Sequence, residues 1–263
     1  VGVGGAGMAT ESRRLVGGDE GNTGGVLGTP ADRLEARADA EAVVATYERE
    51  RVRELRETVE GLTAETVYVV PMCAAHTYDT VNEIPAVLSY CPGEVRYCEP
   101  VGGSPVVTDI LEQRAEHLVP GGPDTSLVLV GFGSSSQPYN RQTTDYHATR
   151  LREQSAYGEV VNCYLLQNPT VECVRYNVSG SRAVAVPLFV ASSEATEERI
   201  PSELELGRGG IEYADPLGDH PQVTEAILAE VEKQRSLADD AAPTFEASLT
   251  DSQRPLATDG EGL

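Results

Sequence analysis

Tyr68-Val-Val-Pro71, Ile84-Pro85, Val95-Arg-Tyr97, Pro100-Val-Gly102 and Pro105-Val-Val-Thr108 occur twice in this chain. They return as Val184-Ala-Val-Pro187, Ile200-Pro201, Ile211-Glu-Tyr213, Pro216-Leu-Gly218 and Pro221-Gln-Val-Thr224. Every element of the second set lies 116 residues after its counterpart, Pro71 to Pro187 and Gly102 to Gly218 alike. A gapless offset of that length marks a duplicated domain, because solenoid units run only about 20–50 residues. Weaker matches extend upstream, where Ala31, Arg33, Leu34 and Tyr47 precede Ala148, Arg150, Leu151 and Tyr164 by 117.

Working outward, Val67-Tyr-Val-Val70 reads as a buried strand closed by Pro71, since proline cannot continue a central ladder. Glu94–Cys98 is a second strand, and Pro105 opens a helix to about Leu118, proline suiting a first helical turn. The second copy repeats the plan: strands at Leu127–Val130, Val160–Leu166, Ala183–Val190 and Arg208–Asp215, with helical stretches at Tyr146–Ser155, Val171–Asn177 and Pro221–Arg235. Pro30 to about Gly61, rich in Ala, Glu, Arg and Leu, reads as helical, and Arg14–Gly18 as a first strand. Apolar strands alternating with helices predict an α/β fold: two tandem flavodoxin-like domains with parallel sheets, related by a pseudo-two-fold. The expected organisation is a flexible N-terminus at 1–10, a first repeat at 11–120, a linker at 121–126, a second repeat at 127–235 and a disordered acidic tail at 236–263.

Forty-two acids against twenty bases give a net charge of −22, with Lys233 the only lysine. Such a surface repels nucleic acid and anionic membranes, and it suits a protein of a high-salt cytoplasm, where salt screens the carboxylates. No apolar run approaches the roughly 18 residues of a membrane span, and no positively charged leader precedes an apolar segment, so secretion is not expected. The five cysteines contain no C-x-x-C pair and read as reduced thiols rather than a zinc site. Gly2-Val-Gly-Gly-Ala-Gly7 matches G-x-G-x-x-G formally but lacks the strand that must precede a dinucleotide loop.

Ligands of open parallel sheets bind at the carboxyl ends of the strands, which selects the loops Met72–Asn82, Gly131–Tyr139 and Ala191–Arg199, and the pair Pro100–Ser104 and Pro216–His220. In these loops Leu129-Val-Gly-Phe-Gly-Ser134, Val186-Pro-Leu-Phe189, Ile200-Pro201 and Tyr213-Ala-Asp-Pro-Leu-Gly-Asp-His-Pro221 follow one another in a set order. That succession resembles the class II tetrapyrrole chelatases of the sirohydrochlorin cobaltochelatase and ferrochelatase type, in their long two-repeat form. The resemblance implies insertion of a divalent metal, cobalt or else nickel or iron, into sirohydrochlorin, with no permanently bound cofactor. It further implies a histidine between the glycines after the first strand and another five residues before the Ile-Pro isoleucine. This chain has Phe132 at the first place, with Gly18 as its first-repeat counterpart, and Asp79 and Ala195 at the second.

The first-repeat loop nevertheless holds His76, Tyr78, Asp79 and Glu83. Neutral imidazole ligates divalent first-row metals and titrates near neutrality, so His76, assisted by Asp79 and Glu83, is the expected point of metal capture and deprotonation. His76 and Asp79 lie three residues apart and face one metal if the loop ends in a helical turn. A solvated polar loop is the plain alternative. Ser134, Ser135 and Ser136 either donate to substrate carboxylates beside a helix start or cap the helix that follows. Tyr78 and Glu194 complete the expected substrate contacts, while the loop around Ser192–Ala195 is expected to be structural or to meet tetrapyrrole carboxylates. His220 reads as a helix cap, and His117 and His147 as surface residues. Two further readings stand beside the enzyme: a non-catalytic paralogue that carries tetrapyrrole or metal, or partners an active chelatase, and a two-lobed small-ligand binding protein. A chain whose repeats partner each other is expected to be a cytoplasmic monomer.

Overall fold

A computed structural model describes residues 11–18, 33–34, 42–47, 51–218 and 220–239. The Gly2–Gly7 motif and the segment after residue 239 lie outside the described residues. Two four-stranded, wholly parallel sheets are present. The first contains β1 (Glu11–Gly18), β2 (Ala42–Tyr47), β3 (Thr66–Pro71) and β4 (Glu94–Tyr97) in the order β2-β1-β3-β4. The second contains β5 (Thr125–Gly131), β6 (Glu159–Tyr164), β7 (Arg182–Pro187) and β8 (Ile211–Tyr213) in the order β6-β5-β7-β8. Both are the flavodoxin-like order 2-1-3-4, whose switch point lies between the first and third strands. The registers also agree, since Val16 faces Pro71 as Val130 faces Pro187. Two residues further along, Gly18 therefore occupies the backbone place of Phe132.

The connections include α1 (Arg51–Glu60), α2 (Ile84–Leu88), α3 (Pro105–Leu118), α4 (Tyr139–Gln154), α5 (Val174–Asn177), α6 (Ile200–Glu203) and α7 (Pro221–Asp239). Strand ends differ from expectation by up to three residues, as where β7 stops at Pro187 rather than Val190 and β8 spans Ile211–Tyr213 rather than 208–215, and some helices differ more. Residues 30–61 are not one helical stretch, because Ala42-Val-Val-Ala-Thr-Tyr47 pairs in parallel with β1. Its β-branched residues favour a strand, and the surrounding Ala, Glu and Arg hid that preference. Helix α4 begins at Tyr139, seven residues before the expected Tyr146, and α7 runs to Asp239 rather than Arg235.

Strand alternation sorts the core. Val67 and Val69 pack on one face of the first sheet, while Tyr68 and Val70 face the other way. In the second sheet Val128, Val130 and Ala185 take the outer face, and Leu127, Leu129, Val184 and Val186 the inner one. The two inner faces share one core, into which Leu34 and its repeat partner Leu151 are both sunk, at 1% and 0% exposure. Helices α3 and α7 fill it crosswise, for α3 of the first repeat packs on β7 of the second and α7 packs on β3. Each fully buried leucine there contributes roughly 1.5–3 kcal/mol, so the inter-repeat contact is core rather than docking surface. Within the first repeat Gly102 lets two loops approach closely, because a Cβ there would lie 2.2 Å from the Ala74 carbonyl oxygen.

Candidate metal and tetrapyrrole site

The carboxyl ends of both sheets converge on a cavity of about 220 Å³. Its walls are the loop after β3 (Met72–Ala75 and Thr77), the loop after β7 (Leu188–Ser193 and Ala195), Phe132 after β5, and Asn140 of α4. The two main loops are copies of each other at the 116-residue offset, so the cavity lies across the pseudo-two-fold. Gly133, at φ +80°, turns the chain so that Phe132 stands 42% exposed at the opening, edge-on to Phe189 at 6.2 Å. A side chain is strained at that φ, which explains the glycine.

Each main loop ends in a one-turn π-helix, Asp79–Glu83 in the first repeat and Ala195–Arg199 in the second. Both are held in the same way. Thr80 Oγ1 accepts from Thr77 N at 2.8 Å, and Thr196 Oγ1 from Ser193 N at 2.8 Å. The Tyr97 hydroxyl donates to Thr80 O at 2.7 Å, and the Tyr213 hydroxyl to Thr196 O at 3.0 Å. Turns of this kind occur often at functional sites, and here each is fastened to the fourth strand of its sheet.

Within this shared frame the side chains differ. His76 Nε2 donates to Glu99 Oε2 at 3.0 Å, because a carboxylate only accepts, and Nδ1 lies 3.0 Å from Thr80 Oγ1. Tyr139, the first residue of α4, stands edge-on to the imidazole at 5.7 Å. The His76 hydrogen bond holds the Glu99 carboxyl below its ordinary range, against the effect of burial. Lys233 adds to that effect, and Lys233 Nζ also meets Glu230 at 3.4 Å, where burial pushes the carboxyl up. The counterparts of His76 and Asp79 are Ser192 and Ala195, so the second repeat has no imidazole here.

The expected residues distribute as follows. His76 is next to the cavity-lining Ala75 and Thr77, with its ring nitrogens turned to Thr80 and Glu99. Asp79 and Glu83 open and close the first π turn, so the loop does end in a helical turn. Tyr78 is 59% exposed at its start, and Glu194, its counterpart, is exposed as well. Ser134 Oγ accepts from the backbone N–H groups of Ser136 and Gln137 at 3.3 and 3.1 Å, which caps the turn before α4, while Ser135 and Ser136 are exposed. His220 Nδ1 accepts from Gln222 N at 3.3 Å, at the start of α7. Phe132 and Ala195, the places where histidines were to be expected, both line the cavity. Among the described residues, no group of three or more His, Cys, Asp and Glu side chains is placed to hold a metal ion. Cys73 also lines the cavity, but burial pushes its thiol up to about 12, so it stays protonated. The five cysteines are free, and Cys173 is exposed.

One expectation is overturned. His147 is not a surface residue but is fully buried, with Nε2 donating to Gly102 O at 2.6 Å and Nδ1 2.8 Å from Thr108 Oγ1. Helix α3 of the other repeat covers it. Glu99 also went unnoticed, although it lies two residues past the carboxyl end of β4 and next to the Pro100–Ser104 loop.

Two flavodoxin-like sheets, one per repeat, with facing loops define a two-repeat α/β protein with a cleft between the copies. The CbiX family model matches residues 25–118 and again 126–234, and the chain belongs to that family. It is 27% identical over 175 residues to a probable sirohydrochlorin cobaltochelatase of Halobacterium salinarum, covering 56% of this chain and 60% of that protein. It is 36% identical over 108 residues to a sirohydrochlorin ferrochelatase of Priestia megaterium, covering 39% and 40%. The matches thus span less than two thirds of either relative. The structure of SirB from Bacillus subtilis with Fe3+ superposes with a TM-score of 0.71 at 20% identity, over 88% of this chain and 98% of SirB, a likeness of fold. Among the described helices none is long and apolar enough to cross a membrane.

Proposed function

We propose that this protein inserts a divalent metal, cobalt foremost and nickel or iron as alternatives, into sirohydrochlorin. The observation that carries the reading is the asymmetry of the cleft. One loop carries an oriented imidazole, His76, next to the cavity-lining Ala75 and Thr77, while apolar and aromatic surface comes from Leu188 and Phe189 of the loop facing it and Phe132 of the loop after β5. A flat macrocycle needs such a surface against one face and a metal donor near the other. The cavity is smaller than the roughly 300–1,000 Å³ of typical small-molecule sites, so it takes one edge of the macrocycle while the rest lies along the exposed rim.

Insertion releases two pyrrole protons for each divalent ion taken up, and the metal is a substrate rather than a resident cofactor. His76 holds the ion, with Asp79 and Glu83 adding negative charge from the π turn and accepting protons. Tyr78 and Ser134–Ser136 offer hydroxyls, and Glu194 a carboxylate, to the substrate's polar periphery. The chain acts as a monomer in the cytoplasm, each repeat serving as the other's partner. The test is an anaerobic insertion assay that follows the sirohydrochlorin spectrum with Co(II), Ni(II) and Fe(II) against an enzyme-free control. Wild type is expected to accelerate insertion, and His76→Ala to return the rate to the control; unchanged turnover in the variant removes the assignment.

A second reading, a carrier or partner subunit without catalysis, is favoured by Phe132 and Ala195 standing where histidines were to be expected. It predicts a spectral shift on binding with no acceleration.

A further inference from the structure

We propose that Glu99 is the partner ligand of His76, the two forming a capture point at which Glu99 Oε2 and His76 Nε2 become neighbouring donors to one divalent cation. This rests on the metal-insertion reading of the cleft and deepens it by naming a residue outside the His76 loop. The two donor atoms lie 3.0 Å apart. Adjacent ligands of an octahedral ion with bonds of about 2.1 Å are separated by about 3 Å, so the two donors already have the spacing of neighbouring ligands. A cation entering beside the line between them needs both groups to rotate towards it rather than to separate. The imidazole is only 20% exposed, whereas the Glu99 side chain is 56% exposed and open to arriving ions.

The hydrogen that leaves Nε2 has a destination. Thr80 Oγ1 lies 3.0 Å from His76 Nδ1 and 3.1 Å from the Thr77 carbonyl oxygen. With Nε2–H bonded to Glu99, the Thr80 hydroxyl donates to Nδ1. Once Nε2 takes the metal, Nδ1 carries the hydrogen and donates to Thr80 Oγ1, and the hydroxyl turns to Thr77 O. The neutral imidazole changes tautomer without net proton release, and every group keeps a partner. This is how an outer hydrogen bond orients a metal-binding histidine. The second repeat retains the threonine, with Thr196 Oγ1 donating to Ser193 O at 3.0 Å, yet has Ser192 in place of the imidazole. Its counterpart of Glu99, Asp215, faces Arg114 at 3.9 Å. The frame is thus duplicated and the ligand pair is built once.

The experiment is titration of the full chain with Co(II) in the absence of tetrapyrrole, followed by calorimetry and the visible spectrum of the bound ion. Nitrogen-15 shifts of the histidine rings report which nitrogen binds. Wild type is expected to bind Co(II) through Nε2 of His76. Glu99→Gln, which keeps the size and a hydrogen bond to the imidazole, is expected to weaken binding about 10–100-fold, while Asp215→Asn leaves it unchanged. Full binding in Glu99→Gln, or a wild type that does not bind Co(II), overturns the proposal. So does a loss confined to Asp79→Asn, which transfers the second ligand to the π turn. Cobalt binding that depends on Glu99, in a protein that does not accelerate insertion, sinks the chelatase reading and leaves this ligand pair in place.

Discussion

His147 joins the two repeats through a chain of single hydrogen bonds: Arg150 Nε donates to Thr108 Oγ1 at 3.2 Å, Thr108 donates to His147 Nδ1, and His147 Nε2 donates to Gly102 O. Burial pushes its pKa down to about 4, well below the ordinary 6.5. The folded protein therefore accepts the neutral ring, while the unfolded chain binds a proton more readily. Its contribution to stability is fully present above about pH 6.5 and is lost as pH falls towards 4, by up to about 3 kcal/mol. His147→Gln is expected to be less stable at pH 7 by about 1–3 kcal/mol and to lose less stability between pH 7 and 4.5 than wild type. Urea denaturation at the two pH values measures both, and parallel losses in the two proteins refute the role. The sequence places His147 between Tyr146 and Ala148 on a polar helix, where nothing local indicates burial. The covering residues, Gly102 and Thr108, lie some forty positions earlier.

The two π turns show how far an element can be read from its residues. Ile84-Pro85 and Ile200-Pro201 announce a helix start at the same place in each repeat, and the structure begins α2 and α6 there. The wide turn before each start was not legible, since α and π turns draw on the same residues and differ in what holds them. Here that is a tyrosine hydroxyl from the neighbouring strand. Tyr97→Phe is expected to cost about 1 kcal/mol, to speed amide exchange across 77–83, and to slow metal insertion because His76 loses its fixed frame. Tyr213→Phe is expected to cost as much while sparing insertion. Exchange rates left unchanged by Tyr97→Phe count against the clamp. Strand β2 was missed for a related reason: its partner, β1, supplies the pairing that overrides a helical composition.

At the scale of the molecule, α3 and α7 each lie on the other repeat's sheet, so neither repeat closes its core alone. Unfolding is expected to be one cooperative transition, with calorimetric and van't Hoff enthalpies in agreement. Two resolved transitions contradict the crosswise core. The net charge of −22 acts on the same equilibrium. Self-repulsion favours the expanded chain, and raising salt from 0.1 to 1 M shortens the screening length from about 10 to 3 Å. The midpoint is therefore expected to rise with KCl over that range, and a flat or falling midpoint dismisses charge repulsion as a determinant of stability.

The duplication, the parallel α/β class and the loops that line the cavity were all present in the sequence by itself. A constant offset of 116 residues, Val-Pro at strand ends and Pro at helix starts are local signals that survive without coordinates. Tertiary structure alone decided that the repeats exchange helices, that His147 is buried and that His76 faces Glu99. Each of these joins residues 23 to more than 100 positions apart, and no helix or strand period carries information over that distance. They follow from how two sheets pack around a shared axis, which is settled only when the cores on both sides are filled.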